Sequence, residues 1–201
     1  MICTVIRHAE KEQGDFYNPR LRHQDQPISE QGKHEAQKLT AFFSGKHVSA
    51  IYVSAYQRTL QTIEPVAGQQ NLTPAVDDRL NEIDNGRFEG LSEADIAHTY
   101  PDAWNAFHER KADFRFPGGE TGREAQTRIL DFLQEKLRFH KQDHIILVSH
   151  DGLIRLLMCS VVQIPVYRRW TFQVDTCGIM EIAYQTDYED WKLIRFNQKC
   201  A

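Results

Sequence analysis

Three strand-like runs of the chain are each followed by polar residues whose chemistry suits a phosphoryl group. The run 2–6 ends in Arg7 and His8, the run 48–54 precedes Arg58, and the run 143–149 precedes His150. One guanidinium group can bind two phosphate oxygens at the same time, and a neutral imidazole can act as a nucleophile that accepts a phosphoryl group. A carboxyl group can protonate the leaving alkoxide, and the loop residue Glu82 is the candidate. Brought together, these five side chains would form a site for phosphoryl transfer.

Strands and helices alternate along the chain, and this order predicts how the five side chains are brought together. Between the strand-like runs, apolar residues at helical spacing predict helices at about 29–43, 56–69, 121–140 and 153–162. Such alternation is typical of an α/β fold, here a three-layer α/β/α sandwich around a doubly wound, mostly parallel sheet. The runs 176–184 and 191–196 predict an antiparallel pair near the C-terminus. In such a sheet the carboxyl ends of the strands meet at one crevice, where ligands bind.

Composition narrows the class of protein. The 201 residues carry a formal net charge of −4, so the composition does not indicate a positively charged protein that binds nucleic acid or an anionic membrane. The cysteines form no C-x-x-C pair, which argues against a zinc site, and Cys3, Cys159 and Cys177 are expected to be buried thiols. No group of the site needs a metal or a cofactor. No apolar run is long enough to span a membrane and no leader sequence is recognisable, so we expect a soluble cytoplasmic protein.

Six blocks in the chain place the candidate residues in short motifs. They are R-H-A-E at 7–10, D-Q-P-I-S-E-Q-G at 25–32, S-A-Y-Q-R-T-L-Q-T at 54–62, L-N-E-I-D-N-G-R-F-E-G at 80–90, P-G-G-E-T at 117–121 and S-H-D-G at 149–152. In this order they resemble the motifs of the histidine phosphatase superfamily, also called the phosphoglycerate mutase-like family. The resemblance implies a phosphoglycerate mutase-like fold and a single domain over residues 1–201. It also implies a small lid-like insertion around 92–119.

The resemblance implies a role for each of the five candidates. His8 falls on the phosphorylated nucleophile of the family, and Glu82 falls on its proton donor. Arg7, Arg58 and His150 fall on the phosphate pocket. We therefore expect a metal-independent phosphatase that hydrolyses phosphomonoesters, with a small phosphorylated metabolite as its partner. Structural roles are expected for three acidic residues of the same blocks, which are Glu10, Glu89 and Asp151.

The residues after His8 depart from the family pattern. Ala9 replaces a glycine, and Lys11 replaces the serine or threonine that helps to hold substrate in many relatives. No substrate-binding role is therefore transferred to this stretch. Possible substrate contacts in the next loop are Arg20, Arg22 and His23, and a solvated basic loop is the equal alternative.

Two other functions use the same residues. A phosphoglycerate mutase would run the same chemistry, but only 34 residues separate Glu82 from Pro117, which implies a small lid and favours hydrolysis. A weakly catalytic module that binds phosphorylated ligands is opposed by the complete set of five residues. In the segment 104–116, Trp104 and Phe107 either cap the crevice or belong to the core. The sequence leaves the substrate and the oligomeric state open.

Overall fold

A computed structural model describes residues 1–21 and 23–200 of the chain. The strands are β1 (Ile2–Arg7), β2 (Tyr17–Asn18), β3 (His23–Gln24), β4 (Ala50–Val53), β5 (Ala75–Val76), β6 (His144–Ser149), β7 (Ile179–Gln185) and β8 (Asp190–Gln198). The α-helices are α1 (Glu30–Phe43), α2 (Gln57–Gln70), α3 (Glu93–Thr99), α4 (Pro101–Glu109), α5 (Gly122–Phe139) and α6 (Asp151–Val161). Short 3-10 helices lie at Asp78–Leu80, Gly86–Phe88 and Val166–Thr171.

The central sheet has six strands in the order β5-β4-β6-β1-β7-β8. The first four of these strands are parallel to one another, whereas β7 is antiparallel to both β1 and β8. The sheet is therefore mostly parallel, and the predicted antiparallel pair near the C-terminus is confirmed as β7 and β8. A separate hairpin is formed by β2 and β3.

Both faces of the sheet are covered by helices, as the apolar runs of its strands require. Along β6, Ile145 and Leu147 pack into one cluster with α5 and α6, and Ile146 and Val148 pack into another with α1 and α2. Side chains alternate between the two faces of a strand, so a continuously apolar strand needs a cover on each side. The predicted three-layer α/β/α sandwich is confirmed.

Local sequence signals set the starts of several helices. The Ser29 hydroxyl accepts a hydrogen bond from the backbone N–H of Gly32 at the start of α1, and Thr121 with Glu124 forms a capping box at the start of α5. Pro101 takes the first position of α4 and thereby separates it from α3.

The helix predicted at 153–162 begins two residues earlier than expected, at Asp151. Gly152 has a low intrinsic helix propensity and lies before the apolar run on which the predicted start was based. In the structure the backbone N–H groups of Gly152 and Leu153 find an acceptor in the Glu82 side chain, which makes the earlier start favourable.

The remaining sequence expectations on burial are met. Cys3, Cys159 and Cys177 are buried free thiols, and Cys200 is half-buried. No helix of the described ranges combines the length and the apolar character needed to cross a bilayer.

Candidate active site

A polar cleft of about 470 Å³ lies beyond the carboxyl ends of β1 and β4. Four of the predicted catalytic residues line it, namely Arg7, His8, Arg58 and Glu82. The fifth, His150, is fully buried behind them. The strand register accounts for the arrangement, because Arg7 at the end of β1 pairs with Ser149 at the end of β6, directly before His150. The fold therefore brings together all five residues predicted from the sequence.

His8 is held with one ring nitrogen free. Its backbone N–H donates to the carbonyl oxygen of Ser149 at 3.0 Å, and its Nδ1 lies 2.7 Å from the carbonyl oxygen of Ala9. A carbonyl oxygen only accepts, so Nδ1 carries the proton and Nε2 keeps its lone pair. Burial and the neighbouring Arg58 lower the pKa of His8 to about 3. The imidazole is therefore neutral near pH 7 and can act as a nucleophile.

The alanine after the nucleophile fits its position without strain. Ala9 is fully buried and is not among the residues with positive φ, so its Cβ is tolerated. Its backbone N–H donates to Thr62 Oγ1 at 2.8 Å, and the Thr62 hydroxyl donates to the carbonyl oxygen of Arg58 at 2.6 Å. This pair of bonds ties the nucleophile loop to the first turns of α2.

The two arginines are fixed at their ends but keep unused donors. Arg7 Nη1 donates to the carbonyl oxygen of Val174 at 2.5 Å, and Arg58 lies 4.0 Å from Asp25 Oδ1 and 4.2 Å from the Tyr56 ring centroid. The Nε atoms of both arginines are buried without a hydrogen-bond partner among the described residues. Buried donors without partners are costly, so an anion with several oxygens would be stabilised here.

His150 supports one of these arginines. Its Nδ1 lies 3.2 Å from Arg58 Nη2 and its Nε2 lies 2.8 Å from Ser54 Oγ. Since the guanidinium group only donates, Nδ1 accepts and Nε2 carries the proton. Burial and Arg58 hold the pKa of His150 well below its usual value. His150 can donate to a phosphoryl oxygen only after it gains a proton at Nδ1 and Arg58 turns away.

Glu82 caps the start of α6. Its Oε1 accepts from the backbone N–H groups of Ile83 at 2.9 Å and Leu153 at 3.1 Å, and its Oε2 accepts from Gly152 at 3.2 Å. These bonds favour the carboxylate, but burial outweighs them and raises the pKa of Glu82. A carboxyl group with a raised pKa in the cleft is suited to carry a proton.

Residues that the sequence reasoning did not place in the site hold Glu82 and its neighbours. Arg128 Nη2 donates to the carbonyl oxygen of Glu82 at 2.9 Å while its Nε donates to Glu120 at 2.9 Å. Ser54 and Asp25 position His150 and Arg58. These residues fall within or near the recognised motifs, so the motifs indicated that they matter. The role of each residue follows only from its contacts in the structure.

The acidic residues with expected structural roles make structural contacts. Glu10 accepts a hydrogen bond from the Ser29 hydroxyl at 2.8 Å, and Asp151 pairs with Arg155 at 2.8 Å. Glu89 accepts from the backbone N–H of Gln24 at 3.2 Å. Each of these bonds fixes a loop or a helix end beside the cleft.

The three possible substrate contacts have different places. His23 lines the cleft, and its pairing with Glu89 raises its pKa. Arg20 is exposed in the turn between β2 and β3 and is not among the cleft-lining residues. Arg22 lies outside the described residues.

Lys11, to which no role was transferred, also lines the cleft. Its Nζ donates to Gln26 Oε1 at 3.2 Å, and its backbone forms a bridge with Ile28. Burial and Arg58 lower the pKa of Lys11.

In the part of the chain that the structure describes, no three His, Cys, Asp or Glu side chains are grouped as metal ligands.

A second space, here called the aromatic cavity, adjoins the cleft and has a volume of about 310 Å³. Its aromatic walls are Phe88, Trp104, Phe107, Phe116 and Trp170. Trp104 and Phe107 also pack against the larger hydrophobic cluster. These two residues therefore contact the core, which was one of the two alternatives, and they border the aromatic cavity rather than the catalytic cleft.

Comparison with known proteins gives a family match and relatives that align over most of both chains. Residues 3–199 match the model of the histidine phosphatase superfamily (branch 1). Phosphoserine phosphatase 1 of Hydrogenobacter thermophilus is 31% identical over 177 residues, which are 87% of this chain and 82% of the relative. The 2,3-bisphosphoglycerate-dependent phosphoglycerate mutase of Cytophaga hutchinsonii is 25% identical over 167 residues, which are 81% and 78% of the two chains.

Solved structures share the fold. A mycobacterial glucosyl-3-phosphoglycerate phosphatase in complex with inorganic phosphate superposes with a TM-score of 0.83 at 21% identity, and covers 99% of this chain and 98% of its own. The α-ribazole phosphatase of Shigella flexneri superposes with a TM-score of 0.82 at 21% identity, and covers 98% and 96% of the two chains.

Proposed function

The chain belongs to the histidine phosphatase superfamily, and on this premise we propose that it hydrolyses phosphomonoesters through a phosphohistidine on His8. The observation that carries the proposal is the free Nε2 lone pair of a neutral His8, set in a cleft with two arginines. The guanidinium groups of Arg7 and Arg58 supply the positive charge that binds the phosphoryl oxygens.

The first half of the reaction forms the phosphohistidine. The Nε2 lone pair of His8 attacks phosphorus, and the bond from phosphorus to the leaving oxygen breaks. Glu82 gives its proton to that oxygen, and the alcohol departs. Charge on the equatorial oxygens is stabilised by Arg7 and Arg58, whose unused Nε donors are already desolvated.

The second half of the reaction releases phosphate. Water attacks the phosphorus and gives a proton to the Glu82 carboxylate. The bond between phosphorus and Nε2 breaks, and its electron pair returns to His8. The three backbone amides around Glu82 stabilise the carboxylate between the two halves.

The segment between Glu82 and Pro117 supports hydrolysis over transfer to a second substrate, because its 34 residues imply a small lid and easier entry of water. Phosphoglycerate mutase activity on the same site is the alternative, and both activities are named among the relatives. A small phosphorylated metabolite is the proposed partner. The expectation of a cytoplasmic enzyme without a nucleic-acid or membrane partner stays a prediction.

The proposal is tested by two assays on the same preparation. Phosphate release from simple phosphomonoesters is compared with interconversion of 3- and 2-phosphoglycerate, and efficient interconversion with little release would favour the mutase. Incubation with a labelled phosphodonor, quenched without acid, should place label on His8. His8→Ala should abolish label and turnover, whereas His34→Ala, an exposed histidine on α1, should leave both unchanged. Turnover that persists in His8→Ala would contradict the proposal.

A further inference from the structure

The aromatic cavity shares part of its wall with the catalytic cleft. Glu82, Ile83, Asn85 and Asp151 line both spaces. A leaving oxygen that takes its proton from Glu82 therefore lies at the border of the two. Whatever is bonded to that oxygen has the aromatic cavity next to it.

The rings of the aromatic cavity come from two separate segments of the chain. Phe88, Trp104 and Phe107 belong to the part before α5, and Trp170 belongs to the 3-10 helix at Val166–Thr171. Phe107 meets Trp170 edge to face, with ring centroids 5.3 Å apart. A space of this size with several rings in its wall is typical of small-molecule sites, and it favours a planar apolar group.

A buried guanidinium group borders the same cavity. Arg169 is only 4% exposed, and its Cζ lies 5.0 Å from the Trp170 ring centroid. Asp113 attracts it electrostatically, but within residues 1–21 and 23–200 no carboxylate oxygen lies within 4.0 Å of its nitrogens. A guanidinium group that is largely removed from water and has no close carboxylate partner is costly, and a ligand that brings an anion would stabilise it.

Of the two arginines in the cavity wall, Arg169 is the one without a close carboxylate partner. Arg155 is paired with Asp151 at 2.8 Å. Glu93, on α3, also lines the cavity and would repel an anion placed near it. A negative group on the ligand therefore has its favourable place beside Arg169 and Trp170.

We propose that the aromatic cavity binds the leaving group of the substrate, and that this leaving group is an alcohol with an aromatic ring and a carboxylate that Arg169 binds. The proposal rests on the proposed function, because it takes the phosphoryl group to lie against His8. The rings select the planar part, and Arg169 selects the charge.

Three alkyl phosphates of closely similar leaving-group basicity test the proposal. They are propyl phosphate, 2-phenylethyl phosphate and 2-(4-carboxyphenyl)ethyl phosphate. Burial of the phenyl ring should raise kcat/KM by ~10-fold over propyl phosphate. The charge-assisted bond to Arg169 should add a further ~10-fold for the carboxylated substrate. Equal kcat/KM for all three would overturn the proposal while leaving the proposed function intact.

Variants separate the two parts of the recognition. Arg169→Met should remove the increase in kcat/KM that comes from the carboxylate and keep the increase that comes from the ring. Arg169→Lys should restore part of the increase that comes from the carboxylate. Trp104→Ala should reduce the gain from the ring. The matched control is Arg168→Met, whose side chain is exposed next to Arg169 in the sequence, and it should leave all three values unchanged. A loss of the carboxylate gain in Arg168→Met as large as in Arg169→Met would contradict the assignment.

Product binding tests the cavity without turnover. Titration of 2-(4-carboxyphenyl)ethanol into wild-type protein should change the tryptophan fluorescence, because Trp104 and Trp170 line the cavity. The affinity should fall ~10-fold in Arg169→Met and stay unchanged in His8→Ala. No binding to the wild type would overturn the inference. Absence of any phosphate release together with clear product binding would overturn the proposed function alone.

Discussion

Nδ1 of His150 lies 3.2 Å from Nη2 of Arg58 and accepts a hydrogen bond from it, so the second histidine of the free site supports an arginine. Its other nitrogen donates to Ser54. Both ring nitrogens are occupied before a phosphoryl group arrives. If His150 is to donate to a bound phosphoryl group, as the family resemblance implies, this pair must rearrange.

Phosphate or vanadate binding should be coupled to proton uptake. A bound dianion that draws Arg58 away raises the pKa of His150, which burial and Arg58 hold well below its usual value in the free protein. Consider pH values between the His150 pKa of the free protein and the higher His150 pKa of the complex. In that range the affinity for the anion should fall about tenfold for each unit of pH increase, because each binding event takes up one proton. Calorimetry in buffers of different ionisation enthalpy measures this uptake. Uptake should vanish in His150→Asn, and binding without uptake in the wild type would contradict the expected rearrangement.

The protonation state of Glu82 should limit the rate for alkyl phosphates at high pH. Burial raises the pKa of Glu82, and the first step needs its proton, so kcat/KM should fall as pH rises through that pKa. Glu82→Gln should slow alkyl phosphate hydrolysis by about 10²–10⁴-fold. An aryl phosphate such as 4-nitrophenyl phosphate should lose less, since its leaving group needs no proton.

Vanadate binding and thermal unfolding are the controls for Glu82→Gln. Vanadate affinity should stay close to the wild-type value, because the arginines bind the anion. The amide of glutamine would face the N–H of Gly152 in place of an acceptor oxygen, so some loss of stability is expected. Loss of vanadate binding together with turnover would instead assign Glu82 a purely structural role.

Gly152 should be required for the position of Glu82. A Cβ added at Gly152 would lie 2.8 Å from Glu82 Oε1 and 3.0 Å from Ile83 Cγ2, which is too close for either group to stay in place. Gly152→Ala should therefore lower kcat for alkyl phosphates and leave KM and vanadate affinity nearly unchanged. Gly68→Ala is a suitable control, because a Cβ there meets nothing within 4 Å. An unchanged kcat in Gly152→Ala would show that Glu82 can act from a shifted position.

Ser54 should contribute measurably to stability as well as to activity. It is 1% exposed, and its hydroxyl accepts from His150 and contacts Thr59 Oγ1 at 3.0 Å. Ser54→Ala leaves the Nε2–H of His150 without an acceptor, which should cost about 1–3 kcal/mol in the free energy of unfolding. Urea denaturation measures this difference. Ser44→Ala, at an exposed helix end, should change the free energy of unfolding by less than about 0.5 kcal/mol.

The sequence predicted the parts of the site that follow from strand ends. An apolar run that stops at a polar residue, as at Arg7 and His8, marks the crevice edge of a parallel sheet. The alternation of strands and helices was sufficient for the layer order. These features are local or depend on a general rule of packing, so no contact had to be known.

Other features depend on which segments meet, and the sequence pattern does not contain that information. The start of α6 at Asp151 depends on Glu82, which lies about 70 residues earlier in the chain. The occupied nitrogens of His150 and the buried Arg169 likewise depend on side chains from distant elements. An arginine such as Arg169 is expected at the surface from its residue type alone, and its burial becomes visible only in the folded structure.

The position of Glu82 at the start of α6 has a consequence for the timing of the reaction. The amide dipoles at the first turn of a helix favour negative charge, so their attraction for Glu82 is stronger after it has given up its proton. In the proposed mechanism Glu82 is a carboxylate while phosphorus is bonded to His8, so its hydrogen bonds to the start of α6 are expected to be strongest in that interval and weaker once water restores the proton. The strength of the contact between Glu82 and the start of α6 is therefore expected to change with each step of the catalytic cycle.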